Sequence, residues 1–379
     1  MIYMDYNATA PVHPEVLEAF LPFYRESFGN PSSIHMAGRR ARGAIEEARE
    51  KVARFLGCEP VEVVFTSSGT EADNMAVKGI ASALRGKGNH IITTPVEHPA
   101  VLNTMLHLEQ EGYDITRLDV DSEGMPDPAQ LEAEITDRTI LISVMHANNE
   151  TGTILPVNEI GAVAARHRVL FHCDAVQAAG KIPMNFREMN TGLLAVSGHK
   201  MGAPQGIGAL VVRQGVKLHP LIHGGSQERN RRAGTENVAG IVALGRACEL
   251  ARDSLSSESA RIGALRDRLE QGIISSIPDV RVNGHRALRL PNTSNISFAG
   301  CEADSLLANL DLAGIAVSSG AACSSGTLRT SHVLSAMGIE PALARGSLRF
   351  SLGRENSAAD PDQLLGVLPG IVERLRKRR

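Results

Sequence analysis

The chain has 379 residues, 43% of them apolar and 21% charged, with a formal net charge of -3. That length exceeds one ordinary core and points to two domains. The charge balance excludes an overall basic field for nucleic acid, the longest apolar runs fall far short of a membrane span, and no secretory leader is visible, so a cytoplasmic protein is expected.

From about residue 34 to residue 213 the sequence alternates helical and strand-like segments. The patterning predicts helices over His35–Leu56, Glu71–Leu84, Pro99–Glu111 and Asn158–His167. It predicts strands over Glu62–Thr66, His90–Thr94, Ile115–Leu118, Thr139–Met145, Val169–Cys173, Leu193–Ser197 and Gly208–Val212. Near-continuous apolar strands such as ILISV and LLAV fit a mainly parallel sheet covered on both faces, with ligands at the strands' C-terminal ends. After Thr235 the pattern changes. Two long helices are predicted, Glu236–Asp253 and Ser257–Ile277, followed by short strands at Ser294–Phe298, Ile315–Ser318 and Ser347–Leu352. A smaller α+β domain therefore begins near residue 255, with the first dozen residues packing onto it. The C-terminal RLRKRR run reads as the solvated end of a helix.

Five segments fall where such a fold binds a ligand. Thr66–Glu71 follows a strand and opens a helix, which makes either an anion site for a phosphate or a plain N-cap. His98, before Pro99, can stack on a flat ring or simply cap its helix. Asp174 ends an apolar strand, with Gln177 three residues on. A carboxylate there needs a partner, for which a protonated pyridine nitrogen is suited; the alternative is again an N-cap. Lys200, in Ser197–Lys200 ahead of a glycine-rich turn, is poised to form an imine with an aldehyde, and Ser197 and His199 can reach a phosphate. The Gln227–Thr235 loop is either solvated charge or a second route to that phosphate.

In their order and joint presence these segments resemble the fold-type I pyridoxal phosphate enzymes, in particular the class V aminotransferase family. The resemblance runs from Tyr3–Thr9 to Arg349–Gly353. It implies an α/β fold with a large seven-stranded domain over 14–254 and a small domain from 1–13 and 255–379. It implies that Lys200 carries pyridoxal 5′-phosphate as a Schiff base, that Asp174 pairs with the pyridine nitrogen, that Gln177 bonds the ring hydroxyl and that His98 stacks on the ring. It further implies that Gly69, Thr70, Ser197, His199 and a Thr235 from the partner subunit bind the phosphate, in a homodimer.

The reaction is indicated elsewhere. Val317–Thr327 surrounds Cys323 with small residues, which suits an exposed, movable thiol. The five cysteines form no CxxC pair, so neither a disulfide framework nor a Cys-only zinc site is expected. With Met145–Glu150 and Ser347–Arg354, the Cys323 segment resembles the cysteine desulfurases of the NifS and IscS group. That resemblance implies that Asn148 and Arg349 hold the α-carboxylate of L-cysteine, that Lys200 moves its α-proton and that His98 shuttles a proton. Cys323, on a loop at about 321–331, would take the sulfur as a persulfide and pass it to an acceptor such as an iron–sulfur scaffold. No metal is expected beyond a transient contact of Cys323 with an iron–sulfur cluster. Gln205 and Ala321 depart from the group's usual residues without touching this chemistry. The short end after the helix Leu364–Arg378 leans toward a NifS-like member. A selenocysteine lyase, or another aminotransferase or lyase that does not need Cys323, is the alternative.

Overall fold

The computed structural model describes residues 1–319 and 330–377. At its centre lies a seven-stranded sheet. In spatial order its strands are Val63–Thr66, Gly208–Val212, Leu193–Ser197, Leu170–Asp174, Thr139–Ser143, His90–Thr93 and Asp114–Arg117. Gly208–Val212 runs antiparallel to both neighbours, and the remaining pairs are parallel.

Alternation along the strands divides the core in two. Ile92, Ile142, Phe171 and Val196 face one layer of helices, while Ile91, Leu141, Leu193 and Leu210 face the other. Every residue of Thr139–Ser143, Leu193–Ser197 and Gly208–Val212 is buried, because both faces are covered. The helix Met36–Leu56 starts at His35, whose Nδ1 accepts from the Gly38 amide at 3.2 Å, and stops at Gly57 with φ 71°. It lies against a later helix at Gly245, where a Cβ would sit 2.9 Å from the Ala48 Cα, so only glycine permits that approach.

The two predicted helices after Thr235 are one helix, Val238–Ser276, of 39 residues. The serine-rich stretch between them reads as a break because serine offers the backbone competing hydrogen bonds. Here the hydroxyls are absorbed instead: Ser254 donates to Leu250 O at 2.8 Å, Ser257 to Ser254 O at 3.0 Å and Ser259 to Lys181 O at 2.7 Å. The N-terminal half of this helix joins the core of the large sheet through Leu244 and Ala247. Its C-terminal half joins a separate core through Leu265, Leu269 and Ile273.

That separate core is covered by a three-stranded antiparallel sheet of Ser347–Ser351, Thr293–Phe298 and Val280–Asn283. The last of these strands was not predicted; Arg281 and Asn283 interrupt it, so it forms no apolar run. The chain's first strand, Ile2–Tyr3, pairs in parallel with Ile315–Ala316. Residues 4–9 then run from this smaller core to the edge of the large sheet, where Ala10 N bonds His199 O at 2.9 Å.

Candidate active site

Asp174 ends its strand beside Ala195 of the neighbouring strand, and five residues past Ala195 the turn Gly198–Lys200 presents Lys200. Both residues therefore sit at the C-terminal edge of the sheet. Asp174 is buried, and its Oδ1 accepts from the Val176 amide at 2.9 Å. Burial raises its carboxyl above the usual range, a rise that the Val176 bond and the nearby Lys200 oppose. Among the described residues no cation forms an ion pair with it, so a cationic group placed there would relieve the cost.

More buried acid lies behind Asp174. Asp73 and His172 are both buried, with Oδ1 and Nε2 3.4 Å apart and neither atom hydrogen-bonded. Burial pushes His172 down to about 3, which leaves it neutral, and raises Asp73, with Asp174 and Glu97 adding to that rise. Glu97 accepts from Thr94 Oγ1 at 2.7 Å and from the Met145 amide at 3.0 Å, and burial raises it to about 8. A carboxyl raised in the folded state keeps its proton where the unfolded chain loses it. Its contribution therefore falls as pH climbs from about 4.5 to about 8. Glu97→Gln should flatten the pH dependence of stability across that window by on the order of 5 kcal/mol, read from urea unfolding of the cofactor-free protein at several pH values.

The helix Gly69–Leu84 begins against this edge. A Cβ on Gly69 would meet Val176 Cγ2 at 2.7 Å and the Ser197 Cβ at 3.4 Å, so glycine seats the helix start beside the Lys200 turn. Thr70 is exposed at that start, and Ser68 caps it by accepting from the Glu71 amide at 3.1 Å. His98 caps the helix Pro99–Gln110, its Nδ1 accepting from the Ala100 amide at 3.1 Å. Burial lowers His98 to about 4, with Lys200 and His332 adding to the effect. Thr70 and His98 share a cavity of about 340 Å³. Ser197 is buried, and His199 Nδ1 lies 3.1 Å from Thr9 Oγ1. His199 is likewise lowered to about 4 by burial and then by Lys200 and Lys181. On the other side of Lys200 a cavity of about 690 Å³ opens between the two cores, lined also by Lys181, Arg261 and Arg354.

The loop carrying Thr235 is held firmly. Arg49 Nη1 and Nη2 bond Glu228 at 2.9 and 2.8 Å, both side chains are buried, and Glu228 Oε2 also accepts from the Phe65 amide at 3.0 Å. Glu228, Arg229 and Asn230 all take positive φ, a conformation costly for side-chain-bearing residues. Arg232 bonds Glu71 at 2.8 Å, tying the loop to the start of the Gly69 helix. Thr235 is exposed at the loop's end.

The carboxylate-binding expectation divides. Arg349 lies at the site, donating from Nη1 to Asn149 O at 3.0 Å and from Nη2 to Asp5 at 2.7 Å; its buried Nε has no partner among the described residues. Asn148 is not available. Its Nδ2 donates to Val96 O at 2.9 Å and contacts Met145 Sδ at 3.6 Å, while its Oδ1 accepts from the Glu150 and Thr151 amides at 2.9 Å each. The neighbouring Asn149 is half-buried with its side chain uncommitted among the described residues, and it is the better candidate. Consecutive asparagines gave no signal for choosing between them.

Asn7 joins these parts. Its carbonyl accepts from Lys200 Nζ at 2.5 Å and Gln177 Nε2 at 3.0 Å. Its side chain reaches Asn149 O at 3.1 Å and Thr293 Oγ1 at 2.9 Å. Cys323 lies outside the described residues. Among those described, no group of three or more His, Cys, Asp or Glu side chains is arranged to hold a metal ion, and no helix is long and apolar enough to cross a membrane.

A sheet edge of this kind, with a lysine, a buried acid without a cation and a glycine-seated helix start, defines a class. The chain belongs to the aminotransferase class-V family, whose model matches residues 2–364. It is 52% identical over 375 residues to the "Cysteine desulfurase IscS" of Dictyoglomus turgidum, covering 99% of this chain and 95% of that protein. It is 51% identical to "Cysteine desulfurase 2" of Trichormus variabilis, covering 99% and 94%. A solved "NIFS-LIKE PROTEIN" superposes with a TM-score of 0.93 at 39% identity, covering 98% of this chain and 99% of that one. The family's cofactor is pyridoxal 5′-phosphate, and the residues fit it. Asp174 lacks a cation that a pyridinium would supply, and Lys200 and the Gly69 helix start lie beside it.

Proposed function

We infer that this chain is a pyridoxal phosphate-dependent cysteine desulfurase, releasing sulfur from L-cysteine with L-alanine as co-product. The observation that carries this reading is the meeting of Lys200 with the buried Asp174 at one sheet edge, in a chain about half identical to desulfurases over its full length.

Lys200 would hold the cofactor. Asp174 would pair with its ring nitrogen, Gln177 would bond its ring oxygen and His98 would stack on its face. Gly69, Thr70, Ser197 and His199 would bind its phosphate. When bound, the group withdraws electrons from the substrate's α-carbon. Arg349 binds the α-carboxylate through its guanidinium, with Asn149 beside it, and the unpartnered Nε supports this role. Lys200 takes the α-proton. His98, whose Nδ1 is taken up by the Ala100 amide, would meet the substrate thiol through Nε2 and shuttle a proton there. The Cys323 thiolate then attacks the substrate sulfur. The S–S bond of a persulfide forms, the Cβ–S bond breaks, and its electron pair stays with the carbon skeleton. Protonation of that skeleton gives L-alanine.

The same reading includes a cytoplasmic homodimer in which Thr235 reaches the partner subunit's phosphate. An exposed Thr235 on a pinned loop supports it, as do the exposed apolar side chains Phe28, Ile34 and Met36. We propose 14–254 as the large domain and 1–13 with 255–379 as the small one. The persulfide sulfur would go to an acceptor protein of iron–sulfur assembly. The test is to mix purified protein, pyridoxal phosphate, L-cysteine and a reductant, and to assay sulfide and alanine. Equal yields are expected, and no sulfide from the native chain would end the desulfurase reading.

A further inference from the structure

Lys181 follows Gln177 by one helical turn's worth of chain, just after Gly180 with φ 76°. It lines the larger cavity, and its amine is hydrogen-bonded there. Nζ donates to Gln177 Oε1 at 2.7 Å and to Asn7 Oδ1 at 3.0 Å. Among the described residues no carboxylate forms an ion pair with it. Lys200 is bonded to the carbonyl of the same Asn7 at 2.5 Å. One asparagine therefore holds both amines.

This arrangement settles how the Gln177 amide lies. An ammonium only donates, and a main-chain carbonyl only accepts. Lys181 requires Oε1 on its side, and the Asn7 carbonyl, 3.0 Å from Nε2, requires the nitrogen on the other. The two neighbours demand the same orientation. One Nε2 hydrogen is spent on Asn7. The second makes no bond to a described residue, at a position three residues along from Asp174.

We propose that Lys181 is a positioning residue, which fixes Gln177 so that this second N–H faces an anionic ring oxygen of the cofactor and which sets a positive charge beside the nitrogen of Lys200. The proposal rests on the cofactor reading above and deepens it. Among the described residues, no carboxylate is paired with Lys181. Lys200 faces it from the turn after Leu193–Ser197, His199 from the same turn, and Arg349 from Ser347–Ser351 with Asp5 bonded to that arginine. Burial lowers the Lys181 amine well below its usual range, and Lys200 and Arg349 lower it further. These effects disfavour the ammonium in the empty site, so Lys181 carries its positive charge when the anionic ring oxygen supplies the counter-charge through Gln177.

The sign of the effect follows. A nearby cation repels a proton on the Lys200 nitrogen, and an N–H donated to the ring oxygen weakens that oxygen's hold on the same proton. Both act in one direction, and Lys181→Met removes both. The visible absorption of the Lys200-bound cofactor is titrated with pH in the wild-type holoenzyme, in Lys181→Met and in Lys181→Arg. The midpoint in Lys181→Met is expected to rise by about one pH unit, while Lys181→Arg, which keeps the charge, stays near wild type. Cofactor affinity, measured by equilibrium dialysis, is expected to fall about tenfold in Lys181→Met. If Lys181→Met retains no cofactor, Lys181→Gln is titrated by the same rule, with melting of the cofactor-free protein confirming its fold. An unshifted midpoint in a cofactor-loaded Lys181→Met or Lys181→Gln overturns the proposal and leaves the cofactor assignment standing. A wild-type chain with no visible band overturns both.

Discussion

Lys200→Ala should cut sulfide release from L-cysteine by at least ~10³-fold and abolish covalent capture of the cofactor. Two functions rest on that amine. It would hold the cofactor beside Asp174, and it would move the α-proton of the substrate. No neighbouring amine can take over. Lys181 is the nearest candidate, but its Nζ is committed to Gln177 Oε1 at 2.7 Å and Asn7 Oδ1 at 3.0 Å. His98 and His199, both lowered to about 4, are poor bases for an α-proton. Steady-state assays of sulfide and alanine measure the first effect. Borohydride reduction followed by mass measurement reads the second, with wild type keeping the cofactor's mass and the variant losing it. Undiminished turnover would refute the whole assignment.

Cys323→Ala should keep the cofactor's visible band and lose the persulfide, with turnover down at least ~10²-fold. The other thiols are unfit to replace it. Cys173, Cys248 and Cys301 are buried, and Cys58 is half-buried. Burial raises Cys58 to about 12 and pushes Cys173 and Cys248 up as well, so little thiolate forms near neutral pH. The check is mass measurement after exposure to L-cysteine without reductant. Wild type should gain one sulfur atom on the peptide containing Cys323. A variant with full activity would remove Cys323 from the mechanism.

The centre of the sheet was legible in the sequence because its strands there are buried on both faces and so read as near-unbroken apolar runs. Leu193–Ser197 and Gly208–Val212 match their predicted bounds for that reason. Lys200 and Asp174 were legible because each breaks such a run at its ligand end. What failed to show depends on contacts distant in sequence. The serines at 254–259 form helix because their hydroxyls find carbonyls, one of them at Lys181. Asn148 and Asn149 are distinguished only by the turn that consumes the first. Lys181 looks like an ordinary surface charge until Gln177 and Asn7 are seen around it.

Asn7 also constrains the order of events in folding. Its amide bonds Ser351 Oγ at 3.0 Å across a separation of 344 residues, and its side chain bonds Thr293 Oγ1 across 286. The strands of the large sheet are all complete by residue 212, so that sheet can assemble while the chain is still being made. The anchorage of Lys200 cannot. Asn7 must wait for Thr293 and Ser351 before it is locked in place, and closing a loop of that length is slow. Acquisition of colour by a newly made chain would then report a late step of folding, after the large sheet has already taken its shape.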